Sequence, residues 1–527
     1  MGVVTDRFKQ FRRYAADLLM AEQVRRPISS TGPTPLALVY PNYYAVGMAS
    51  LGYQTVYRLF NESPIFACER AFLQEGSFAS FIRTLETQRP LRSFPIIAFS
   101  VAYEPDYLHV LHLLRLSGIP LRADQRTPLD PLILVGGVTM FSNPAVLAPV
   151  ADVIFLGEAE SLVPVFSRHF ELHPRREELL DVLGGEPGFY IPSLHQETPL
   201  QVQHWNIHGQ EPATSFCIPQ QAHLKMFMIE VGRGCGRGCR FCSAGHVYHP
   251  FRQWSVEKIV DTVHAYARPG DRIGLVGAAL SDYKDLDQLC SRLLGCGYTI
   301  SLSSLRVDRI NAPLLRAMEK SGLDRITLAP EAGSERLRRV IGKNLSEDAI
   351  FTAADLLAQS RIKLIKVYYM IGLPFESPED IEAIILLTRR LSTHLPHHQL
   401  RVGLSAFIPK PCTPFQWAPV ADEKTIRLKW KTLAHGLRQI PRVSVSPMNP
   451  REDRIQALLS LGDRSLGVRL TEVEQPLLWR GEKETLGNTQ RSREYADALP
   501  WDFIDCGQRR MSLWKSWLSA KAHAENG

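Results

Sequence analysis

Short runs of β-branched and aliphatic residues alternate, from residue 34 onward, with longer stretches whose apolar positions recur three and four apart. PLALVYP (35–41), PIIAFSVA (95–102), PLILVGGV (131–138) and ADVIFLGEA (151–159) are the strand-like runs, and YLHVLHLLRLSG (107–118) is one of the helical stretches between them. This alternation predicts an α/β domain over 34–183, a parallel, doubly wound sheet of the flavodoxin or Rossmann type, behind an amphipathic N-terminal helix within 1–33. Gly136, Gly137 and Gly157 follow directly on strands, where such a sheet opens its ligand crevice. Strand-end glycine turns also serve without any ligand, so both readings stand.

A Gly/Pro-rich stretch, LGGEPGFYIPS, interrupts the pattern and predicts a linker over 184–222. Strand-like runs then resume: MFMIEVG, RIGLVG, TISLSS, RITLAP, LIKVYYMIG and LRVGLSAFIP, each pair separated by a helical stretch such as the one that Ser255 is placed to cap. Six βα units predict an open (β/α)6 partial barrel over 223–419, with the reacting groups on loops at the C-terminal ends of the strands. From 420 to 527 the strand signal fades into charged amphipathic segments, which predicts a helical C-terminal domain.

Composition adds limits. The chain has 527 residues, 45% hydrophobic and 22% charged, with a formal charge of +7. That is globular composition with length for several cores, and the mild positive charge is compatible with nucleic acid but reads better as a solvated face. The charged N-terminus lacks a signal-peptide core and no apolar run reaches about 18 residues, so the expected location is the cytoplasm, away from membranes. Cysteines number nine, and six of them are scattered singly, which argues against a disulfide framework.

The other three are together: Cys235, Cys239 and Cys242 lie in VGRGCGRGCRFCSAGHVY, on the loop after the first barrel strand. Clustered thiolates call for zinc or for an iron–sulfur cluster. Zinc would need a fourth ligand, with His246 or His249 as candidates for a structural Cys3His site in an RNA- or ribosome-associated binding protein. A cubane on three cysteines leaves one iron open for a further ligand.

Cys-x3-Cys-x2-Cys with Phe241 before the last cysteine resembles the signature of the radical S-adenosylmethionine enzymes. The resemblance implies a [4Fe–4S] cluster on the three cysteines, S-adenosylmethionine chelated to the open iron, and a one-electron reductase such as flavodoxin or ferredoxin to drive formation of a 5′-deoxyadenosyl radical. By strand-end position it also implies S-adenosylmethionine contacts at Gly277 and Ala278, at Ser304 and Arg306, at Glu331 and Arg336, and at Met370 and Gly372. The family's Gly-Gly-Glu is missing from GLVGAALSDY, so the role there is positional. Glu331 would equally suit a helix cap near Ser334, and Arg306 a surface ion pair.

The N-terminal domain followed by this barrel resembles the cobalamin-binding class of that superfamily. VYPNYYAVGMASLGYQTVYRL, APEAGSERLR, PKPCTPFQW and WDFIDCG are similar to an uncharacterised bacterial family within it. Relatives tend to carry His where this chain has Cys412, which could serve as a hydrogen donor or as a packing substitution. The resemblance implies cobalamin beside Gly136, Gly137 and Gly157, held without a histidine ligand because the first-strand loop has none. Methyl transfer to an unactivated carbon is the implied reaction, with cobalamin-free hydrogen abstraction or rearrangement as the alternative. No motif selects the substrate.

Overall fold

The continuous aliphatic runs of the N-terminal half are interior strands. Leu36, Ala37, Leu38 and Val39 are all buried in β1 (Thr34–Tyr43), as expected of a parallel strand covered on both faces. The computed structural model describes residues 2–195, 199–303, 305–481, 487 and 489–525. Two compact units emerge: Met1–Met228 with Gly462–Arg480 and Ala498–Gly507, and Ile229–Leu461 with Gly481–Asp497 and Gln508–Gly527.

In the first unit β1 is joined by β2 (Phe66–Leu73), β3 (Ile96–Ser100), β4 (Leu132–Gly136), β5 (Val153–Phe155) and β6 (Phe189–Tyr190), in the order β2-β1-β3-β4-β5-β6. The first five are parallel and β6 is antiparallel to β5. This is the flavodoxin-like order. Strand β2 is the element the hydrophobic pattern hides, because FACERAFL carries Glu69 and Arg70 at its centre and both are buried. Arg70 is accommodated by compensation: its Nη1 and Nη2 donate to Glu22 at 2.6 and 3.0 Å, and its Nε donates to Glu86 at 2.7 Å. The guanidinium also lies over the rings of Tyr57 and Phe216, 5.0 and 5.2 Å from their centroids.

Neither flanking segment stands apart as the sequence suggests. Helix Gly2–Met20 buries Phe11, Ala15 and Leu18 in the core of this unit, and Glu22–Val24 pairs antiparallel with Cys217–Pro219. The stretch 184–222 therefore supplies β6 and this ribbon, and is more than a linker.

In the second unit β7 (Phe227–Glu230), β8 (Arg272–Val276) and β9 (Thr299–Leu302) form one sheet. A second sheet holds β10 (Arg325–Glu331), β11 (Leu364–Ile371), β12 (Gln399–Ala406) and β13 (Val443–Val445), all parallel. A parallel bridge from Leu305 to Leu328 links the sheets. The six strands of the open barrel are the six runs of the sequence, and β13 is an added short seventh. In β11, Ile365, Val367, Tyr369 and Ile371 are buried, whereas Lys366, Tyr368 and Met370 on the opposite face keep solvent contact. That alternation is the pattern of a strand with one packed face.

Residues 420–527 are not one helical domain. Helix Glu423–Arg438, β13 and helix Arg510–Glu525 belong to the second unit, while helix Arg464–Glu472 and the strand Ile504–Asp505, paired with Leu200–Gln201, belong to the first. Charged amphipathic helices read alike whichever core they cover. Among the described residues no helix is long and apolar enough to cross a membrane.

Candidate functional site

The loop after β7 begins and ends on a two-residue antiparallel ribbon, with Gly232 opposite Gln253 and Arg233 opposite Arg252. Within it the backbone folds tightly on itself. Gly234 has a left-handed φ of 85°, and a Cβ there would lie 2.2 Å from the Tyr248 carbonyl oxygen; a Cβ at Gly245 would lie 2.5 Å from that of Arg237. The glycines that flank the three cysteines thus permit close backbone approach.

Two arginines of the loop itself anchor it to its surroundings. Arg237 donates to Asp282 through Nε at 3.1 Å and Nη2 at 2.5 Å. Arg240 donates through Nη1 to the carbonyls of Arg339 and Val340 at 3.0 and 2.7 Å, through Nε to Ser516 at 3.2 Å, and through Nη2 to Ser519 at 3.0 Å. Its backbone N–H reaches the Ile341 carbonyl at 2.9 Å. The loop is consequently seated on helix Glu335–Val340 and on the last helix.

Cys235, Cys239 and Cys242 are free thiols, each partly exposed. The N–H of Arg237 is 3.4 Å from Cys235 Sγ, and the N–H of Ala244 is directed at the Cys242 sulfur, both suited to a thiolate. Burial pushes the Cys239 thiol up to about 11, and it raises that of Cys242; Lys343 opposes both shifts. Loading a metal here releases protons. Among the described residues no three or more of His, Cys, Asp and Glu are placed to hold one metal ion. His246, a candidate zinc ligand, is buried and its Nε2 is engaged with the Cys239 carbonyl at 3.2 Å, and His249 is exposed. The structure gives the Cys3His reading no support.

Glu331 stands near the cysteine loop. It ends β10 with a left-handed φ of 69°, uncommon for a side chain other than glycine, and its carboxylate acts on the Cys242 thiol. It does not cap the following helix, a task that Ser334 performs by accepting from the Leu337 N–H. Instead Lys343 donates to it at 2.9 Å. Sequence reasoning missed Lys343; its only signal was a lone basic residue after a glycine. Arg338, wholly buried, holds both flanks: it donates to the carbonyls of Ala332, Gly333 and Leu345.

Other expected contacts are spoken for within the chain. Arg306 forms the ion pair of its plainer reading, with Nε and Nη2 donating to Asp308 at 2.9 and 3.0 Å. Arg336 meets Asp380 and the Phe375 carbonyl, so the carboxylate it binds is internal. Gly372 has a φ of 78°, and a Cβ there would meet Ile426 at 2.7 Å, so its Cβ side is filled by the chain itself. Gly277 packs against the base of the cysteine loop, with its Cβ direction 3.3 Å from the Gly232 carbonyl oxygen. Ala278 is exposed, Phe241 and Met370 are half-buried, and Ser304 lies outside the described residues. Cys412 is buried at a φ of 59°, which fits packing better than hydrogen donation to a substrate.

The glycines of the first unit also need correction. A Cβ at Gly137 would lie 2.1 Å from the Val101 carbonyl oxygen and one at Gly157 would lie 2.4 Å from that of Gln203. Their lack of a side chain admits the protein's own backbone. Gly136 makes ordinary contact with Phe155.

A fold of this order carrying such a loop defines a class. The family model described as "Radical SAM proteins, N-terminal" matches residues 52–192, and "Radical SAM superfamily" matches 229–388, together more than half of the chain. The chain belongs to the radical S-adenosylmethionine superfamily and is an enzyme, whose superfamily cofactors are a [4Fe–4S] cluster and S-adenosylmethionine. It is 27% identical to an uncharacterized protein of Methanocaldococcus jannaschii over 84% of this chain and 91% of that one. It is 22% identical to an uncharacterized methyltransferase of Pyrococcus horikoshii over 39% of this chain and 44% of that one. The cobalamin-dependent S-adenosylmethionine radical enzyme OxsB, solved with aqua-cobalamin bound, shares the fold: TM-score 0.50, 14% identity, 94% of this chain and 80% of OxsB.

Proposed function

We propose that Cys235, Cys239 and Cys242 hold the [4Fe–4S] cluster, that the first unit binds cobalamin, and that the reaction is methyl transfer to an unactivated carbon. The observation that carries the reading is the ribbon-closed loop presenting three thiols beside Glu331 and Lys343 at the strands' C-terminal ends. The donor set fits: three soft ligands with backbone N–H groups aimed at two of the sulfurs, and no fourth cysteine in the loop. When bound, the cluster supplies an electron from a one-electron reductant and cobalamin a transferable methyl group.

The chain's own residues do the positioning. Arg237 and Arg240 fix the loop, and Glu331, its charge balanced by Lys343, offers a carboxylate to the hydroxyl or ammonium groups of S-adenosylmethionine. For cobalamin, the first unit has the open sheet order that seats cofactors where the strand order reverses. Exposed Tyr43 and Tyr103 stand beside that point. The similarity to cobalamin-dependent OxsB supports the same reading.

Anaerobic purification tests it. About four iron and four sulfide per chain, with absorbance near about 400 nm, is expected. Reconstitution with hydroxocobalamin and gel filtration should leave corrin absorbance on the protein. Full iron with no retained corrin would leave hydrogen abstraction without cobalamin as the reaction.

Glu331→Gln should keep the cluster iron yet weaken S-adenosylmethionine binding by about tenfold or more, since a charged hydrogen-bond partner is lost. Calorimetry showing unchanged affinity would reduce Glu331 to a partner of Lys343.

A further inference from the structure

One face of the sheet formed by β10 to β13 is covered by helices. Tyr369 of β11 puts its hydroxyl 3.3 Å from Thr388 on helix Pro378–His394, and its register partner Leu404, with Val402 and Leu400, is buried on the same side. The alternate residues face the barrel interior. There the register sets Thr327 beside Lys366, Lys366 beside Arg401 and Arg401 beside Ser444, one row across four strands. Two cationic residues thus stand on neighbouring strands, their backbones about 5 Å apart, an arrangement that repulsion disfavours. Neither side chain has an ion pair or hydrogen bond to any described residue, and Arg401 is exposed.

Two residues further along, Tyr368 is paired with Gly403. Its ring lies where a side chain at 403 would be: a Cβ there would fall 2.5 Å from two ring atoms. Glycine therefore gives an aromatic that is 43% exposed a fixed seat on the inner face. At about 3.3 Å per residue, Lys366 is about 13 Å from Met370, so the row lies well below the strand ends that carry Glu331.

We infer that this row is the oxyanion subsite of the substrate chamber: Lys366 and Arg401 hold a carboxylate or phosphate, and Tyr368 lies along the part of the substrate that leads to the reacting carbon. The inference rests on the radical S-adenosylmethionine reading and names a substrate class for it, an anionic molecule long enough to span about 13 Å. A guanidinium binds either oxyanion through two parallel N–H donors, and an ammonium beside it adds a point charge. On a concave surface two unneutralised charges draw anions inward. Solubility alone would be served as well by opposite signs, which attract; like charges in register cost stability, and a bound anion offsets that cost.

The test is calorimetry on the full, iron-loaded chain with phenyl phosphate and 3-phenylpropionate, which carry the two oxyanions on a ring, and with neutral 3-phenylpropanamide as control. One or both anions should bind and the amide should not; the tighter of the two names the oxyanion. Lys366→Met and Arg401→Met should each weaken binding by about tenfold or more, and Tyr368→Leu should weaken it while sparing cluster iron. Saturating S-adenosylmethionine should leave the anion affinity unchanged; competition between the two would overturn the substrate role and make the row a contact for the methionine carboxylate. No anion binding in wild type, or binding that survives replacement of both cations, would overturn the subsite itself. Without ligand, Lys366→Met should melt no lower than wild type, since a repulsion is relieved, and a lower melting temperature would reveal an internal partner and overturn the inference. Protein that binds the anion through this pair but loads no iron would overturn the cluster reading and leave the subsite.

Discussion

Alanine at any one of Cys235, Cys239 or Cys242 is expected to abolish the iron–sulfur chromophore and with it reductive cleavage of S-adenosylmethionine. A cubane left with two thiolates has two open irons, and the loop offers no substitute: His246 is occupied with the Cys239 carbonyl and His249 is exposed. Iron analysis and the appearance of 5′-deoxyadenosine under dithionite are the measurements, and full iron loading of the triple alanine variant would refute the assignment. The same site has a pH signature in wild type. Burial places the Cys239 thiol at about 11, so at neutral pH it is protonated and must lose that proton to become a ligand. Cluster loading should therefore become more favourable as pH rises from neutral toward about 11, whereas a site with preformed thiolates would show little change over that range.

Arg70→Met should destabilise the first unit by about 3–5 kcal/mol, because it leaves the buried Glu22 and the partly buried Glu86 without their cation. Denaturant unfolding followed by fluorescence measures the loss. Neutralising all three residues at once, with Glu22→Gln and Glu86→Gln added, should recover most of it, since packing survives while the charges go. Burial already pushes the Glu86 carboxyl up and Arg70 holds it down, so removing Arg70 raises it further. A carboxyl raised in the folded state binds more protons folded than unfolded, which makes stability fall as pH rises through that range. The deficit of the single variant should accordingly shrink on acidification; a deficit independent of pH would assign the loss to packing.

What the sequence discloses and what it hides follow from physical range. Strands β1, β3, β4 and β5 and the six barrel strands are legible because parallel strands buried on both faces, or on one, need unbroken or alternating apolar runs. Strand β2 breaks that rule with two central charges whose compensation comes from Glu22 and Glu86, well separated in sequence. Strand β13, three residues long, offers too little pattern. The cysteine loop is legible because its ligands are local. Lys343 and Arg338 are not, since each takes its meaning from a partner that only the fold supplies. Gly137 and Gly157 advertise a permissive backbone without saying what comes close, and here it is Val101 and Gln203.

Arg240 sits between two of the cysteines, yet the serines that hold its guanidinium, Ser516 and Ser519, come 276 and 279 residues later. During synthesis the cysteine loop leaves the ribosome long before the helix that secures it exists. Its thiols spend that interval on a loop lacking this support, open to oxidation and to stray metal. The seat is complete only once helix Arg510–Glu525 has docked on the unit, so a chain truncated short of residue 516 should take up iron poorly.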